Sequence, residues 1–296
     1  FHAMFSLMLF SNVFVMYPKA QVSAERIQEI LDAEPMIKNP EQGITETNNE
    51  GTLEFENVTF VYPDGEEPVI KNVSFSAKKG ETIAFIGSTG SGKSTLINLI
   101  PRFYDVTEGS IRIDGIDVRK FNLKALRKKI GFIRQKNLLF TGTIKSNIKF
   151  GKPHATHDEV ENSAKIAQAY DFITTKEKGF DEPISEGGSN VSGGQKQRLS
   201  IARALVRKSE IYIFDDSFSA LDFKTDAILR KALKKETKDA IVLIVAQRIG
   251  SIMDADKIIV LDEGKVVGVG KHKELLSTCN VYHEIALSQL TEEELA

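Results

Sequence analysis

The run Thr82–Ile86 (TIAFI) is apolar at all but its first position and leads without a break into Gly87-Ser88-Thr89-Gly90-Ser91-Gly92-Lys93-Ser94-Thr95. That stretch meets every fixed position of the pattern G-x-x-x-x-G-K-[ST]. A short unbroken apolar strand is one buried on both faces of a parallel sheet. The glycines let the following turn curl so that successive N–H groups point inward at phosphate oxygens. Helical spacing from Ser94 to Ile100 then supplies a positive helix N-terminus beneath them. Strand, glycine turn and helix in this order require an α/β fold with phosphate held at one edge of the sheet. Within it, Lys93 is placed to reach β- and γ-phosphates and the Ser94 hydroxyl to contact Mg²⁺.

The rest of the chain supplies a matching body. Ile130–Ile133, Ile211–Phe214, Ala240–Val245 and Ile258–Leu261 are further short apolar runs suited to a parallel sheet. Ile211-Tyr212-Ile213-Phe214 ends in Asp215, a carboxylate able to hold the Mg²⁺ shell. Leu53, Phe55, Val58 and Phe60 alternate with a phase shift near Asn57. Together with Val73 and Phe75 they predict a small antiparallel sheet. Thr156 to Ile173 reads as helical, opened by the capping-box pair Thr156 and Glu159. Residues 137–205 therefore read as a helical insertion.

Ahead of this domain lies Phe1 to Tyr17 (FHAMFSLMLFSNVFVMY), which carries no acidic or basic residue except His2. It lacks the charged start and the small-residue cleavage site of a signal peptide, and is a little short of the roughly 20 residues a spanning helix needs. It is read as the last turns of a transmembrane helix, with Pro18 and Lys19 ending the apolar run and Ser23–Leu31 continuing at helical spacing. Residues 1–33 are thus assigned to the end of a membrane domain. Glu34–Gly51, rich in Pro, Asn, Glu and Gly, is assigned to a linker, and 52–290 to the nucleotide-handling domain. With 39 Lys+Arg against 41 Asp+Glu, nothing draws the chain toward nucleic acid. The single cysteine, Cys279, excludes an internal disulfide and fits a reducing compartment.

A second glycine-rich segment, Ser192-Gly193-Gly194-Gln195, precedes the Asp215 strand by about twenty residues. Ser192 can cap a helix whose N–H groups then face a phosphate. With these motifs in this order, residues 52–290 resemble the nucleotide-binding domain of an ATP-binding cassette (ABC) transporter. The resemblance implies ATP and Mg²⁺ as ligands. It implies that Tyr62 stacks on adenine, a contact worth ~1–3 kcal/mol for an aromatic platform, and that Gln135 reaches Mg²⁺ and links the site to the membrane domain. Glu186-Gly187-Gly188 falls where exporters carry an acidic–glycine loop, with Gly188 replacing the usual basic residue. In this family two domains pair head to tail. The resemblance therefore assigns Ser192, Gly193, Gly194, Gln195 and, from the loop Ser219–Asp222, Asp222 to the ATP held by a partner chain.

Two positions depart from the pattern. Where hydrolytic members carry a Glu that orients water, this chain has Asp216; where they carry a His at the γ-phosphate, it has Gln247. Asp is one methylene shorter, and a misplacement of about 1 Å can cost on the order of 10²-fold in rate. Gln247 can hydrogen-bond but cannot become a cation. Binding should survive and chemistry slow, as in the degenerate half of a heterodimeric exporter. The full-length protein is then a multi-pass subunit of the cell membrane, with this domain on the cytoplasmic side and a substrate the sequence does not name. Alternatives are a homodimeric exporter with two equivalent sites and a regulatory module in which ATP is a switch. A soluble DNA-repair or chromosome-structural relative is disfavoured by the apolar start and the lack of a long coiled-coil insertion.

Overall fold

A computed structural model describes residues 1–48 and 50–290, Phe223 by its backbone alone. It divides into two units, Phe1–Lys38 and Asn39 onward. The first is dominated by one helix, α1 (His2–Asp32), with no buried residue. It is 31 residues long, or about 46 Å at 1.5 Å per residue. Among the described residues it is the one helix long and apolar enough to cross a membrane. Pro18 ends the apolar run yet lies inside the helix. The ring costs one main-chain hydrogen bond without stopping the helix.

The second unit opens with β1 (Thr52–Phe60) and β2 (Ile70–Lys78), then β3 (Thr82–Ile86) and α2 (Lys93–Leu99). β4 (Glu108–Ile113) and β5 (Ile116–Asp117) follow, then α3 (Leu123–Lys128) and β6 (Ile130–Ile133). The helical insertion comprises β7 (Gly142–Thr143), α4 (Ile144–Lys149), α5 (His157–Ile166), α6 (Tyr170–Thr174), β8 (Pro183–Ile184) and α7 (Gly193–Leu205). The chain then returns through β9 (Ile211–Asp215), α8 (Phe223–Glu236), β10 (Ile241–Val245), β11 (Lys257–Asp262), β12 (Lys265–Gly270), α9 (His272–Thr278) and α10 (Asn280–Leu287).

The strands form an antiparallel sheet in the order β2-β1-β4-β5 and a larger sheet in the order β12-β11-β3-β10-β9-β6. In the larger sheet only the β12 edge is antiparallel. Apart from Thr82 and Asp215 at their ends, β3, β10 and β9 are apolar because each face meets a different core. Ile83 and Phe85, Ile213, and Leu243 and Val245 turn toward the antiparallel sheet and α2, while Ala84 and Ile86, Phe214, and Val242 and Ile244 turn toward the helical insertion and the C-terminal helices. The phase shift in β1 is a register irregularity between Phe55 and Val58 within one strand. Asn57 absorbs it at φ 47°, a left-handed conformation that Asn tolerates.

Two sequence expectations are corrected. The helical reading of 156–173 is broken: α5 stops at Ile166 and Gln168 takes φ 55° before α6 begins. The stretch read as a linker is tied into the α/β body over much of its length. Ile44 pairs with Phe121 as an isolated bridge, Asn39 Oδ1 accepts from Leu123 N–H at 2.8 Å, and Thr47 Oγ1 donates to Asp114 Oδ2 at 2.5 Å. Asp114 is buried, and Gly51 N–H and Lys129 Nζ also meet its carboxylate, at 2.8 and 3.3 Å. Burial pushes this carboxyl up, but the bonds from Thr47, Gly51 and Lys129 outweigh it and hold it below the usual range. Its contribution to stability is therefore present above the ordinary Asp range and lost as pH falls through its own lower value. Asp114→Asn is expected to cost about 3 kcal/mol at pH 7, and the gap from the unaltered chain to be smaller at pH 3. Urea denaturation at the two pH values measures both.

Candidate nucleotide site

Three parallel strands deliver the site to one sheet edge. β3 ends at the glycine loop, β9 at Asp215 and Asp216, and β10, lying between them, at Gln247. β6, next to β9, leads to Gln135. A cavity of about 380 Å³ opens there, lined by Thr89, Gly90, Gly92, Lys93, Ser94, Thr95, Gln135, Asp215, Asp216 and Gln247, with Val69 and Val245.

The loop backbone is unusual because it is packed from below and open above. Gly87, Gly90 and Gly92 all lie at positive φ (153°, 86° and 96°). A Cβ on Gly87 would sit 2.0 Å from the Leu261 carbonyl oxygen, whereas one on Gly90 would meet nothing within 4 Å. Gly87 is thus required by the close approach of β11, and Gly90 by its backbone angle over the cavity. Gly90→Ala is expected to cost about 1–2 kcal/mol of folding stability from strain alone. Gly87→Ala is expected to cost distinctly more, since backbone must move, and thermal denaturation of the two variants separates these costs.

Lys93 is buried and its ammonium donates to the Gly87 and Ser88 carbonyls at 2.8 and 2.7 Å and to Ser91 Oγ at 3.3 Å. Burial pushes its pKa down against the pull of Asp215 and Asp216. Ser94 Oγ donates to Asp215 Oδ1 at 3.1 Å. Burial pushes the Asp215 carboxyl up, the Ser94 bond opposes this, and the neighbouring Asp216 charge adds to the rise. No group of three or more His, Cys, Asp or Glu side chains suited to a metal lies among the described residues. The oxygen donors of Ser94, Asp215 and Gln135, one of them a carboxylate, instead suit a hard cation whose remaining positions phosphate oxygens would complete.

Asp216 stands at φ 47°. Its Oδ2 accepts from Gln135 Nε2 and from Gln247 Nε2, each at 3.1 Å. Burial raises its pKa first, opposed by the Gln135 bond and by the Arg248 and Lys93 charges. The two positions that depart from the hydrolytic pattern therefore contact each other. The turn carrying Gln247 is also held from the C-terminal end. Gln289 Nε2 donates to the Gln247 carbonyl at 2.8 Å, and its Oε1 accepts from Ile249 N–H at 2.9 Å. Sequence reasoning missed Gln289, a lone amide beyond α10 with no motif to mark it.

Tyr62 does not line the cavity. Its ring packs edge-on against Phe60 and Tyr104, and its hydroxyl lies 3.0 Å from Thr95 Oγ1. Nor do Ser192, Gly193, Gly194, Gln195 or Asp222 line it. Ser192 caps α7 in a reciprocal box with Gln195, and a Cβ on Gly194 would lie 3.2 Å from the Ala220 carbonyl. Asp222 caps α8 by accepting from Thr225 N–H at 2.9 Å. Gly188, where a basic residue was expected, takes φ 67° in a tight turn with Gly187, a conformation that favours glycine.

A glycine loop, its lysine and a strand-end aspartate at the edge of a doubly covered parallel sheet define a P-loop nucleotide-binding fold. Residues 70–219 match the family model for ABC transporters, and the chain belongs to that family as an ATPase domain. It is 44% identical over 257 residues to a putative multidrug export ATP-binding/permease protein of Staphylococcus aureus, covering 87% of this chain and 44% of that one. It is 43% identical over 276 residues to an uncharacterized ABC transporter ATP-binding protein of Mycobacterium tuberculosis, covering 92% and 47%. The chain spans about half the length of these curated relatives. A solved bacterial Atm1-family ABC exporter with ATP bound superposes with a TM-score of 0.88 at 32% identity, covering 96% of this chain and 50% of that one.

Proposed function

We propose that this chain is the ATP-binding end of a membrane exporter subunit, and that its own ATP turns over slowly while its Ser192–Gln195 segment serves the site of a different partner subunit. Support for export comes from α1 and from the names of the S. aureus relative and the Atm1-family structure. The observation that carries the slow site is the double engagement of Asp216 Oδ2 by Gln135 and Gln247. An ionised carboxylate oxygen has two lone-pair sites. Two amide donors use both, which leaves Oδ1 alone to take a proton from water and fixes the direction in which this short carboxylate points. Gln247, with Nε2 given to Asp216, turns its acceptor oxygen elsewhere and offers no cation to a γ-phosphate.

In this reading Lys93 and the N–H groups of Gly90–Thr95 hold the phosphates, and Tyr62 swings from Thr95 to meet adenine. Ser94, Asp215 and Gln135 hold Mg²⁺, which when bound neutralises phosphate charge. Ser192, Gly193, Gly194, Gln195 and Asp222 face the partner's nucleotide. Loss of a positioned base forfeits typically ~10²–10⁴-fold in rate.

The chain alone should bind MgATP and hydrolyse it at a barely measurable rate. Asp216→Glu with Gln247→His should raise single-turnover hydrolysis at least tenfold, and each single change much less, because the two side chains are coupled. Rapid turnover by the unaltered chain, abolished by Asp216→Asn, would refute the slow site. In membranes holding both subunits, Ser192→Ala should cripple ATPase activity while Asp216→Asn barely changes it. Equal sensitivity would point to a symmetric homodimer.

A further inference from the structure

A second large cavity, about 830 Å³, lies at the other end of the strands that build the nucleotide site. Lys124 and Lys128 on α3, Lys129, Lys152 beyond α4, and Arg207 and Lys208 beyond α7 all line it. Against these six cations the lining contributes two carboxylates, Glu46 and Glu210, in a chain whose net charge is −2. Glu210 is engaged with Lys129 at 2.6 Å, and Lys152 pairs with Glu159 at 2.5 Å. Lys124, Lys128 and Lys208 are exposed and make no ion pair among the described residues. The Arg207 guanidinium donates to the Arg127 carbonyl at 2.9 Å, and burial pushes its pKa down.

Ser209 adds a separate observation. It lines the cavity and is 7% exposed, and its hydroxyl has no hydrogen-bond partner among the described residues. A buried hydroxyl left unpaired carries a desolvation cost that a ligand oxygen would remove. Like charges gathered at one cleft focus a field that concentrates anions there. Lysine ammonium groups suit phosphate as point charges, and the volume falls within the range of small-molecule sites. None of these residues lines the cavity beside Lys93.

We infer that this cleft is a second anion site, one that takes a ligand bearing two or more phosphoryl groups, either a free oligophosphate or a phosphorylated lipid headgroup. It lies at the N-terminal ends of β6 and β9, and the nucleotide site lies at their C-terminal ends. The two are separated along β9 by about 13 Å of strand. The site does not depend on how fast the nucleotide site turns over.

The test titrates inorganic tripolyphosphate into the chain after its nucleotide site is saturated with a non-hydrolysable ATP analogue and Mg²⁺. A parallel arm compares sedimentation with phosphatidylcholine vesicles and with vesicles containing cardiolipin, whose headgroup carries two phosphoryl groups, so that insertion of α1 cancels in the difference. Lys124→Glu with Lys128→Glu should weaken binding at least tenfold in whichever arm reports it, and Ser209→Ala severalfold. The equal charge reversal Lys234→Glu with Lys235→Glu on α8 should leave it unchanged. Nucleotide affinity should be the same in all variants, which reports on folding. A loss seen with tripolyphosphate assigns a soluble ligand, and one seen with anionic vesicles a headgroup. Absence of binding in both arms, or an equal loss in the α8 control, would overturn the site.

Discussion

The parallel pairing of β10 between β3 and β9 is the constraint on which the site depends. Register sets Val245 beside Phe85 and Asp215, so the loop after β3, the acids after β9 and the amide after β10 all leave the sheet at one level. Parallel neighbours require long crossovers. The helical insertion and α8 therefore lie between strands that touch, and residues far apart in sequence, such as Ser94 and Asp215, meet at hydrogen-bonding distance. Because both faces of these strands are covered, the edge is firmly held, and small differences in side-chain length there become differences in geometry.

That edge concentrates charge in a partly buried place. Burial opposes ionisation of Lys93, Asp215 and Asp216 alike. The lysine and the two acids partly answer one another, and the lysine also leans on the carbonyls of its own loop. Such a site is prepared for a ligand that brings both phosphate oxygens and a cation, since together they satisfy the donors and the carboxylates. Asp114 resolves the same conflict with partners inside the chain, and its carboxyl accordingly moves the other way.

Much of this was legible in the sequence, for reasons that differ by element. The buried strands announce themselves because both faces are apolar, and the glycine loop because close backbone approach admits few residues. Ser192 and Thr156 were readable as caps because a hydroxyl and a side-chain acceptor three residues on leave a local signature. The contact between Asp216 and Gln247 was not legible: each departure stood out, but only strand order makes them neighbours. The tethering of residues 39–47 escaped because a polar, Pro-containing stretch reads as linker whether or not a buried aspartate waits for it. Gln289 and Tyr62 show the same limit, since orientation within a fold leaves no trace in residue spacing.

The reciprocal box at the head of α7 has a consequence for association. Ser192 Oγ accepts from Gln195 N–H at 3.3 Å and Gln195 Oε1 accepts from Ser192 N–H at 3.1 Å, so this turn is already rigid in a lone chain. A serine hydroxyl that accepts one bond still has its proton to give. The turn therefore stands with its donors aimed and no loop left to order. Much of the entropy that recognition usually loses was surrendered when the chain folded. A turn prepared in this way holds whatever accepts from it more firmly than one that must be ordered on contact.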